Sequence, residues 1–182
     1  MSEEAMARNC APTLAGIKTG NLFSYPYASI TEMREAVRSW NRRLRRKGIR
    51  VLPLQYRNRH ALIYIYRPAQ LSEDLHDASA REILRHCGYE PDRTGRCIAR
   101  LMQRLKESDG FPHEIGLFLG YPPEDVAGYI QNRACNYKCV GCWKVYGDEE
   151  KCRRLFEQYK QCTRHYESCL ANGADIVSIS MQ

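Results

Sequence analysis

Three cysteines lie within eight residues of the chain, at Cys135, Cys139 and Cys142. Thiolates at this C-x3-C-x2-C spacing can bind zinc or iron. The spacing also occurs in radical SAM enzymes, but here it comes too late in the chain to leave room for a surrounding barrel. A tetrahedral zinc site needs a fourth ligand, and three other residues are candidates: Cys10, His113 and Cys152. We predict a zinc or iron site at the three clustered cysteines, with redox-active thiols and inert thiols as alternatives.

Polar residues on both sides of the cysteines could bind a small ligand. The pair His113-Glu114 is not the zinc-protease motif H-E-x-x-H, because Leu117 stands where that motif requires histidine. Helix capping by this pair and a solvated lysine at Lys144 are the plainer interpretations. Polar and thiol groups nevertheless cluster here among glycines and prolines, and we predict a site around residues 113–148. The predicted ligand-binding residues are Lys18, Asn21, His113, Glu114, Lys144 and Tyr146.

Residues 113–133 have the spacing of two short helices that meet at a glycine turn, Gly120. Together with the net charge of +7, this pattern suggests a helix-turn-helix regulator that binds DNA. The start of the second helix argues against that function. Residues 122–125 read Pro-Pro-Glu-Asp, so two carboxylates would face phosphate groups and the prolines would offer no amide donors. We favour an αα-corner used for packing and keep DNA binding as an alternative.

The helix with the clearest signals covers residues 29–47. Ser29 and Glu32 form a capping box at its start, apolar residues recur every three or four positions, and Gly48 ends it. Five basic residues crowd its last turn: Arg42, Arg43, Arg45, Arg46 and Lys47. Cations stabilise the C-terminus of a helix. We favour this explanation of the cluster over contact with nucleic acid or another polyanion.

A β-hairpin is predicted after this helix, with strands at residues 49–56 and 61–66. Pro53 has no N–H for a ladder, so the first strand is predicted to lie at an edge or to carry a bulge. The second strand is apolar on both faces and is predicted to be central. Residues 143–146 alternate like a strand and are predicted to join this sheet.

Helices account for most of the remaining chain. A short helix is predicted within residues 10–25, ending near Gly20, and a long one begins after Asp148 and runs to about Leu170. The predicted fold class is therefore α+β, with a small, mostly antiparallel sheet of about three strands covered by several helices.

Length and composition limit the class of protein. The 182 residues predict a single domain over residues 1–182. The sequence contains no run of about 18 apolar residues, which predicts that it does not span a membrane. The N-terminus does not have the pattern of a signal peptide, and the nine cysteines are odd in number. These observations argue against a disulfide framework and predict a cytoplasmic protein. The net charge of +7 mildly favours an anionic partner.

Several segments are distinctive in their order of residues. They are CAPTLAGIKTGNLFSY at 10–25, HEIGLFLGYPPEDVAGYI at 113–130 and CWKVYGDEE at 142–150, followed by F-x2-Y-x2-C-T at 156–163. With these motifs the chain resembles, over nearly its whole length, a domain-of-unknown-function family of anaerobic Gram-positive bacteria. The resemblance implies a single-domain cytosolic protein and brings no established activity, so no catalytic role is carried over.

The resemblance also bears on individual residues. It implies that Cys135 is less typical of the family than Cys139, which weakens a family-wide metal site built on all three thiols. It further implies a set of residues that typical members share: Cys10, Lys18, His113, Glu114, Trp143, Lys144, Tyr146 and Asp148.

Three hypotheses about function follow. The first is a protein that binds a small anionic ligand or a metal ion, related to thiol or iron chemistry, with its site around residues 113–148. The second is a DNA-binding regulator that uses residues 113–133. The third is an enzyme in which His113 or Glu114 acts as an acid or base.

Overall fold

The computed structural model describes residues 1–107 and 111–181, which form α-helices and antiparallel strands. The predicted α+β class is confirmed. The chain divides into two compact units, which we call the first unit (Met1–Ala69 with Tyr159–Gln182) and the second unit (Gln70–Gln158). The single domain expected over residues 1–182 stays a prediction. In the part of the chain that the structure describes, no helix is long and apolar enough to cross a membrane.

The elements of the chain, in order, are α1 (Glu3–Leu14), β1 (Gly20–Pro26), α2 (Ile30–Leu44), β2 (Arg50–Arg57), β3 (His60–Tyr66), α3 (Pro68–His76), α4 (Ala78–His86), α5 (Thr94–Glu107), α6 (Ile115–Phe118), α7 (Pro123–Gln131), β4 (Cys139–Val140), β5 (Lys144–Val145), α8 (Glu149–Ala171) and α9 (Ile176–Ile179). A 3-10 turn at Arg45–Lys47 extends α2.

The predicted hairpin is present as β2 and β3 in the first unit. Asn58 and Arg59 form its two-residue turn with φ values of 50° and 59°, and two positive φ angles are what a type I′ turn requires. The ladder shifts register between Pro53 and Gln55, which marks a bulge. The strand order is β1-β3-β2, so β2 lies at an edge and β3 is central, as predicted.

The third strand of this sheet is not the predicted one. Residues 143–146 were expected to join the hairpin, but β5 pairs with β4 in a separate two-stranded sheet. The third strand is β1, which runs antiparallel to β3 from Gly20, opposite Tyr66, to Pro26, opposite His60. The expected short helix ending near Gly20 is also wrong, because α1 ends at Leu14. Pairing with β3, later in the chain, forms β1 even though Gly20, Asn21 and Pro26 are residue types that are depleted in strands.

The helix α2 has the ends that the sequence predicts. Ser29 Oγ accepts a hydrogen bond from the Glu32 amide at 3.1 Å, and Gly48 takes a left-handed φ of 69°. The apolar side of α2 is buried in the first unit's core, whereas Ile30 at its start is exposed. This core consists of Met6, Ala7, Cys10, Ala11, Leu14, Phe23, Met33, Val37, Trp40, Leu44, Ile49, Val51, Ala61, Ile63, Ile65, Tyr166 and Ile176.

The second unit contains the predicted αα-corner, formed by α6 and α7. Gly120 turns the chain between them with φ 73°. Gly116 lets the helices approach, because a Cβ on it would lie 2.8 Å from Val126 Cγ2. Beyond the β4–β5 hairpin, Asp148 Oδ1 accepts a hydrogen bond from the Lys151 amide at 2.9 Å and starts α8, as predicted.

Candidate functional site

A buried carboxylate, Asp125, fixes the β4–β5 hairpin onto α7. Its Oδ2 accepts from Trp143 Nε1 at 2.7 Å. Its Oδ1 accepts from the backbone amides of Tyr146 and Gly147 at 2.7 and 2.8 Å. The Cys152 thiol is a fourth donor, 3.4 Å from Oδ2. Because Asp125 is 2% exposed, these bonds replace the water that a carboxylate would otherwise bind.

Aromatic rings pack around the indole that Asp125 holds. The Tyr121 ring stacks on Trp143 with centroids 4.5 Å apart, and the Phe156 ring meets Trp143 edge to face, also at 4.5 Å. The Tyr121 hydroxyl donates to the Cys142 carbonyl at 3.4 Å. Burial raises the pKa of Tyr121 to about 12, with a smaller contribution from Cys142. This packing limits the positions that the Trp143 ring can adopt.

Two glycines allow the backbone to come unusually close to these rings. A Cβ on Gly128 of α7 would lie 2.4 Å from Tyr146 Cγ. One on Gly141, in the hairpin turn, would lie 2.2 Å from the Phe156 ring. Both distances are far below ordinary van der Waals contact, so neither position has room for a side chain without movement of its neighbour. The hairpin is therefore tightly fitted to α7 and to the start of α8.

A cavity of about 380 Å³ lies beside this packed region, within the second unit. Its volume falls within the range of about 300–1,000 Å³ that is usual for small-molecule sites. Aromatic and aliphatic side chains form most of its wall, and a few polar groups interrupt them. The lining residues are Phe111, His113, Ile115, Gly116, Tyr121, Asp125, Val126, Tyr129, Val140, Gly141, Cys142, Trp143 and Lys144.

Lys144 places a cation in this wall. It is half-buried on β5, and its Nζ donates to the Ala134 carbonyl at 2.7 Å. The ammonium lies 4.7 Å from the centre of the Tyr137 ring and 5.9 Å from that of Tyr129. Both distances are within the range of cation–π attraction. One carbonyl uses one of the three ammonium hydrogens, which leaves donor capacity for a ligand.

His113 and Glu114 differ sharply in their surroundings. His113 is exposed, lines the cavity, and meets the Tyr129 ring edge to face at 5.0 Å. Glu114 is 2% exposed and does not line the cavity. Its Oε1 accepts from the Tyr89 hydroxyl at 2.8 Å and pairs with Arg104 Nε at 2.6 Å. Glu114 therefore anchors α5 to the αα-corner, and its carboxylate is already occupied.

The three clustered thiols lie in different surroundings. Cys135 and Cys142 are exposed and Cys139 is buried. In the described residues, no group of three or more histidine, cysteine, aspartate or glutamate side chains is placed to hold a metal ion. All nine cysteines fall within those residues and none is in a disulfide. Among them, Cys142 lines the cavity.

The remaining predicted residues lie elsewhere. Lys18 is buried in the first unit, where its Nζ donates to the Gly20 carbonyl. Asn21 accepts a hydrogen bond from Thr13 Oγ1 at 2.7 Å in the same unit. Tyr146, in the second unit, has a buried hydroxyl without a hydrogen-bond partner among the described residues. Burial raises the pKa of its phenol, and Tyr129 and Cys135 add to the effect.

The site also includes Tyr121, Asp125, Tyr129 and Trp143, which were not among the predicted site residues. Asp125 lies in the first turn of α7, where the helix dipole is the usual explanation of a carboxylate. A tryptophan and two tyrosines within thirty residues of it were a signal for a buried aromatic cluster. Which of these side chains face the cavity depends on the hairpin that packs against α7.

The chain belongs to the family described as "Protein of unknown function (DUF3793)", whose model matches residues 6–180. The family assignment agrees with the predicted resemblance and establishes no activity. A search of curated proteins and a search of solved structures each find no match to this chain.

Proposed function

We propose that this protein binds a small aromatic molecule carrying an anionic group, in the cavity of the second unit. The observation that carries the proposal is the lining itself, in which aromatic and aliphatic walls surround a cation at Lys144. Buried apolar surface supplies most of the affinity of such sites, and a few polar groups fix the orientation of the ligand. The ligand's ring would pack on the wall near Trp143, and its charge would face Lys144.

The charges of the wall favour an anion over a cation. Asp125 is the carboxylate of the lining within the described residues, and donors already occupy both of its oxygens. A cationic ligand would compete with those donors for the same oxygens. The ammonium of Lys144 has hydrogens beyond its single carbonyl bond, and His113 adds a second potential donor.

The structure around the cavity supports binding by a pre-formed site. Asp125 holds the hairpin from both of its oxygens, and Gly128 and Gly141 fit closely against aromatic rings. A wall that is already ordered loses little conformational entropy when a ligand enters. We therefore expect binding to change the environment of Trp143 more than the backbone of the hairpin.

Two dyes with the same rings test the proposal directly. Anilinonaphthalene sulfonate is an aromatic anion, and N-phenylnaphthylamine has the same rings without the sulfonate. The proposal predicts saturable binding of one sulfonate dye per chain, with quenching of tryptophan emission. It also predicts that the neutral dye binds about tenfold more weakly, because it cannot form one charge-assisted hydrogen bond that the sulfonate forms. Equal affinity for both dyes would contradict the anionic part of the proposal.

Two lysines of one hairpin provide a matched pair of variants. Lys144 lines the cavity, whereas Lys138 is exposed, does not line it and donates to the Gly147 carbonyl at 2.6 Å. We expect Lys144→Met to weaken the sulfonate dye by about tenfold and to leave the neutral dye unchanged. Lys138→Met should change neither. The same effect in both variants would show that the dye senses net charge and does not occupy the cavity.

The other hypotheses predict different results. Metal binding by the clustered thiols predicts a stoichiometric metal in protein purified without oxygen. DNA binding through residues 113–133 predicts a salt-dependent duplex complex that Lys144→Met leaves intact. An enzyme that uses His113 predicts turnover that His113→Gln abolishes. Glu114 is a weaker candidate for acid–base chemistry, because Arg104 and Tyr89 already bind its carboxylate. We also propose a cytoplasmic location, because a reducing compartment would keep the cysteines as free thiols.

A further inference from the structure

A groove of about 810 Å³ lies on the first unit between α2 and the edge strand β2. Four arginines line it, at Arg38, Arg42, Arg45 and Arg50, together with Tyr66. One acidic residue, Glu35, belongs to the same lining in the described part of the chain. The groove is thus a concave surface of strongly positive charge that the proposed function in the second unit does not use.

Ion pairs among the residues that the structure describes do not account for these arginines, although Arg50 Nη1 donates to the Ile49 carbonyl at 3.4 Å. Within the described residues, no carboxylate lies within ion-pair distance of any of the four, whereas Arg43 on the same helix pairs with Glu3 and Asp175. The helix dipole favours cations only within the last turn of a helix. Arg38 lies before that turn and Arg50 lies on a strand, so the helix dipole does not explain them.

The net positive charge of the protein comes from the first unit. Its residues include 15 basic and 6 acidic ones, a net charge of +9, and the second unit has 13 basic and 15 acidic, a net charge of −2. A surface with this excess attracts polyanions over distances of a Debye length. The groove is where four of the arginines converge.

The edge of the sheet at this groove is closed to an added strand. The Asn41 side chain accepts from the Val51 amide at 3.0 Å and donates to the Val51 carbonyl at 2.8 Å. Pro53, two residues further along β2, has no N–H to offer. A partner peptide therefore cannot extend the sheet there by backbone pairing. The groove must recognise its partner through side chains, and those side chains are mainly guanidinium groups.

We infer that this groove binds the backbone of a single-stranded nucleic acid. Arg45 comes seven residues after Arg38, with Arg42 between them, which is about 10 Å along a helix at 1.5 Å per residue. Guanidinium groups in a row along one helix face can bind successive phosphates of one strand. Tyr66, which stacks on Tyr64 at 4.6 Å, adds an aromatic group to the groove. Basic grooves with aromatic side chains are typical of proteins that bind single strands.

The test is fluorescence anisotropy with a labelled polyuridine oligonucleotide of about 12 nucleotides, a length within the usual site sizes. The full chain is titrated at several salt concentrations between about 50 and 200 mM KCl. We expect binding that weakens steeply with salt. The double variant Arg42→Gln/Arg45→Gln should bind at least tenfold more weakly at low salt. Its logarithmic salt slope should be shallower by about 1.4, because each phosphate contact contributes about 0.7.

A second double variant removes the same charge from outside the groove. Arg46 and Arg57 are exposed residues of the first unit that do not line it. Arg46→Gln/Arg57→Gln should bind within about twofold of the parent protein, and circular dichroism should show that both variants are folded. An equal loss in the two variants would overturn the inference, because it would indicate non-specific attraction to net charge.

Three further outcomes would also overturn it. One is the absence of binding at the lowest salt concentration. Another is equal or tighter binding of a duplex of the same length, since a concave groove should favour a flexible single strand. The third is competition by polyglutamate as effective as that by unlabelled polyuridine, which would point to an acidic protein partner. A tie between RNA and DNA single strands supports the inference, because both present the same phosphodiester backbone.

Discussion

Each unit contains a buried charged side chain that binds several backbone groups, and these two charges are opposite. In the first unit Arg67 is 6% exposed, and its guanidinium donates to four backbone carbonyls. Those acceptors are Thr13 at 2.7 Å, Leu14 at 2.9 Å, Met181 at 2.9 Å and Lys47 at 3.2 Å. In the second unit Asp125 accepts from two backbone amides, an indole and a thiol.

The partners of the two groups come from very different distances along the chain. Arg67 binds carbonyls as far away as residue 181, and two of them lie at the end of α1, where helical carbonyls have no intrahelical partner. The donors to Asp125 lie 18 to 27 residues from it. Arg67 thus joins distant parts of the first unit, whereas Asp125 orders one local hairpin and the cavity beside it.

The largest expected effect comes from Asp125→Asn. The substitution removes the charge, and an amide presents a donor to one of the groups that now donate to the carboxylate. An unsatisfied buried donor costs about 1–3 kcal/mol, and several donors are affected. We expect the free energy of unfolding to fall by about 3–5 kcal/mol, the usual cost of breaking a buried charged network. Urea unfolding followed by circular dichroism measures it.

The adjacent residue provides the control for this prediction. Glu124 is exposed and precedes Asp125 on α7, so Glu124→Gln removes the same charge without removing a buried acceptor. Its effect on unfolding should stay within about 0.5 kcal/mol. Hydrogen-exchange mass spectrometry should show that Asp125→Asn lowers protection in residues 115–158 more than in β1–β3. Equal loss in the two units would contradict a local role for Asp125.

Arg67→Met should have the next largest effect, in the first unit. Methionine keeps an apolar stem of similar length but removes one donor from each of four carbonyls. Two of them keep a backbone donor, Thr13 from the Gly16 amide and Leu14 from the Met181 amide. We expect a loss of about 2–4 kcal/mol, smaller than for Asp125→Asn because a carbonyl is less demanding than a buried N–H. Its exchange protection should fall at the end of α1 and near residue 181. Exposed Arg46→Met, in the same unit, should leave unfolding unchanged.

Local signals explain why some elements could be predicted from sequence. The start of α2 depends on Ser29 and its end on Gly48, both within the element itself. The hairpin depends on the two-residue turn at Asn58-Arg59. Its edge strand contains Pro53, which has no N–H for the ladder and lies at the bulge. Each of these features lies a few residues from the backbone that it shapes. Such signals remain visible whatever the rest of the chain does.

Pairing between distant segments explains what could not be predicted. Strand β1 forms because β3 lies beside it, and residues 27–59, which include α2 and β2, separate the two in the chain. Asp125 resembles a solvated carboxylate in its own helix, and its partners come from the hairpin of residues 139–147 and from Cys152 of α8. The region of the candidate site was easier to predict, because its cavity is lined by one stretch, from Phe111 to Lys144. Which side chains of that stretch face the cavity depends on Asp125, because its hydrogen bonds hold the hairpin against α7.

Two glycines in helices of the second unit should respond oppositely to the same substitution. A Cβ on Gly128 would meet the Tyr146 ring at 2.4 Å, whereas one on Gly95 of α5 has nothing within 4 Å. Gly128→Ala should cost about 1–3 kcal/mol, the usual penalty of overpacking. Gly95→Ala should add up to about 1 kcal/mol through helix propensity. Thermal unfolding of the two variants gives the sign directly, and a stable Gly128→Ala would contradict a close fit of hairpin and helix.

The smallest effect concerns alkaline pH and the buried thiols of the two units. Burial raises the pKa of Cys152 to about 12, and Asp125 adds to the rise. Burial also raises the pKa of Cys10, but there Lys18 opposes it. A raised pKa in the folded state means that the unfolded chain loses its proton first as pH rises. Stability from Cys152 is therefore complete below pH 8 and is lost as pH increases from about 9 toward 12.

Cys152→Ser isolates this contribution, because a serine hydroxyl can still donate to Asp125 but does not titrate in that range. Between pH 8 and pH 10 the parent protein should lose about 1 kcal/mol more unfolding free energy than this variant, measured by urea unfolding with reductant present. Cys135→Ser, at an exposed thiol, should have the same pH slope as the parent. If the unfolding free energy of Cys152→Ser falls with pH as steeply as that of the parent protein, the Cys152 thiol is not buried beside the Asp125 carboxylate.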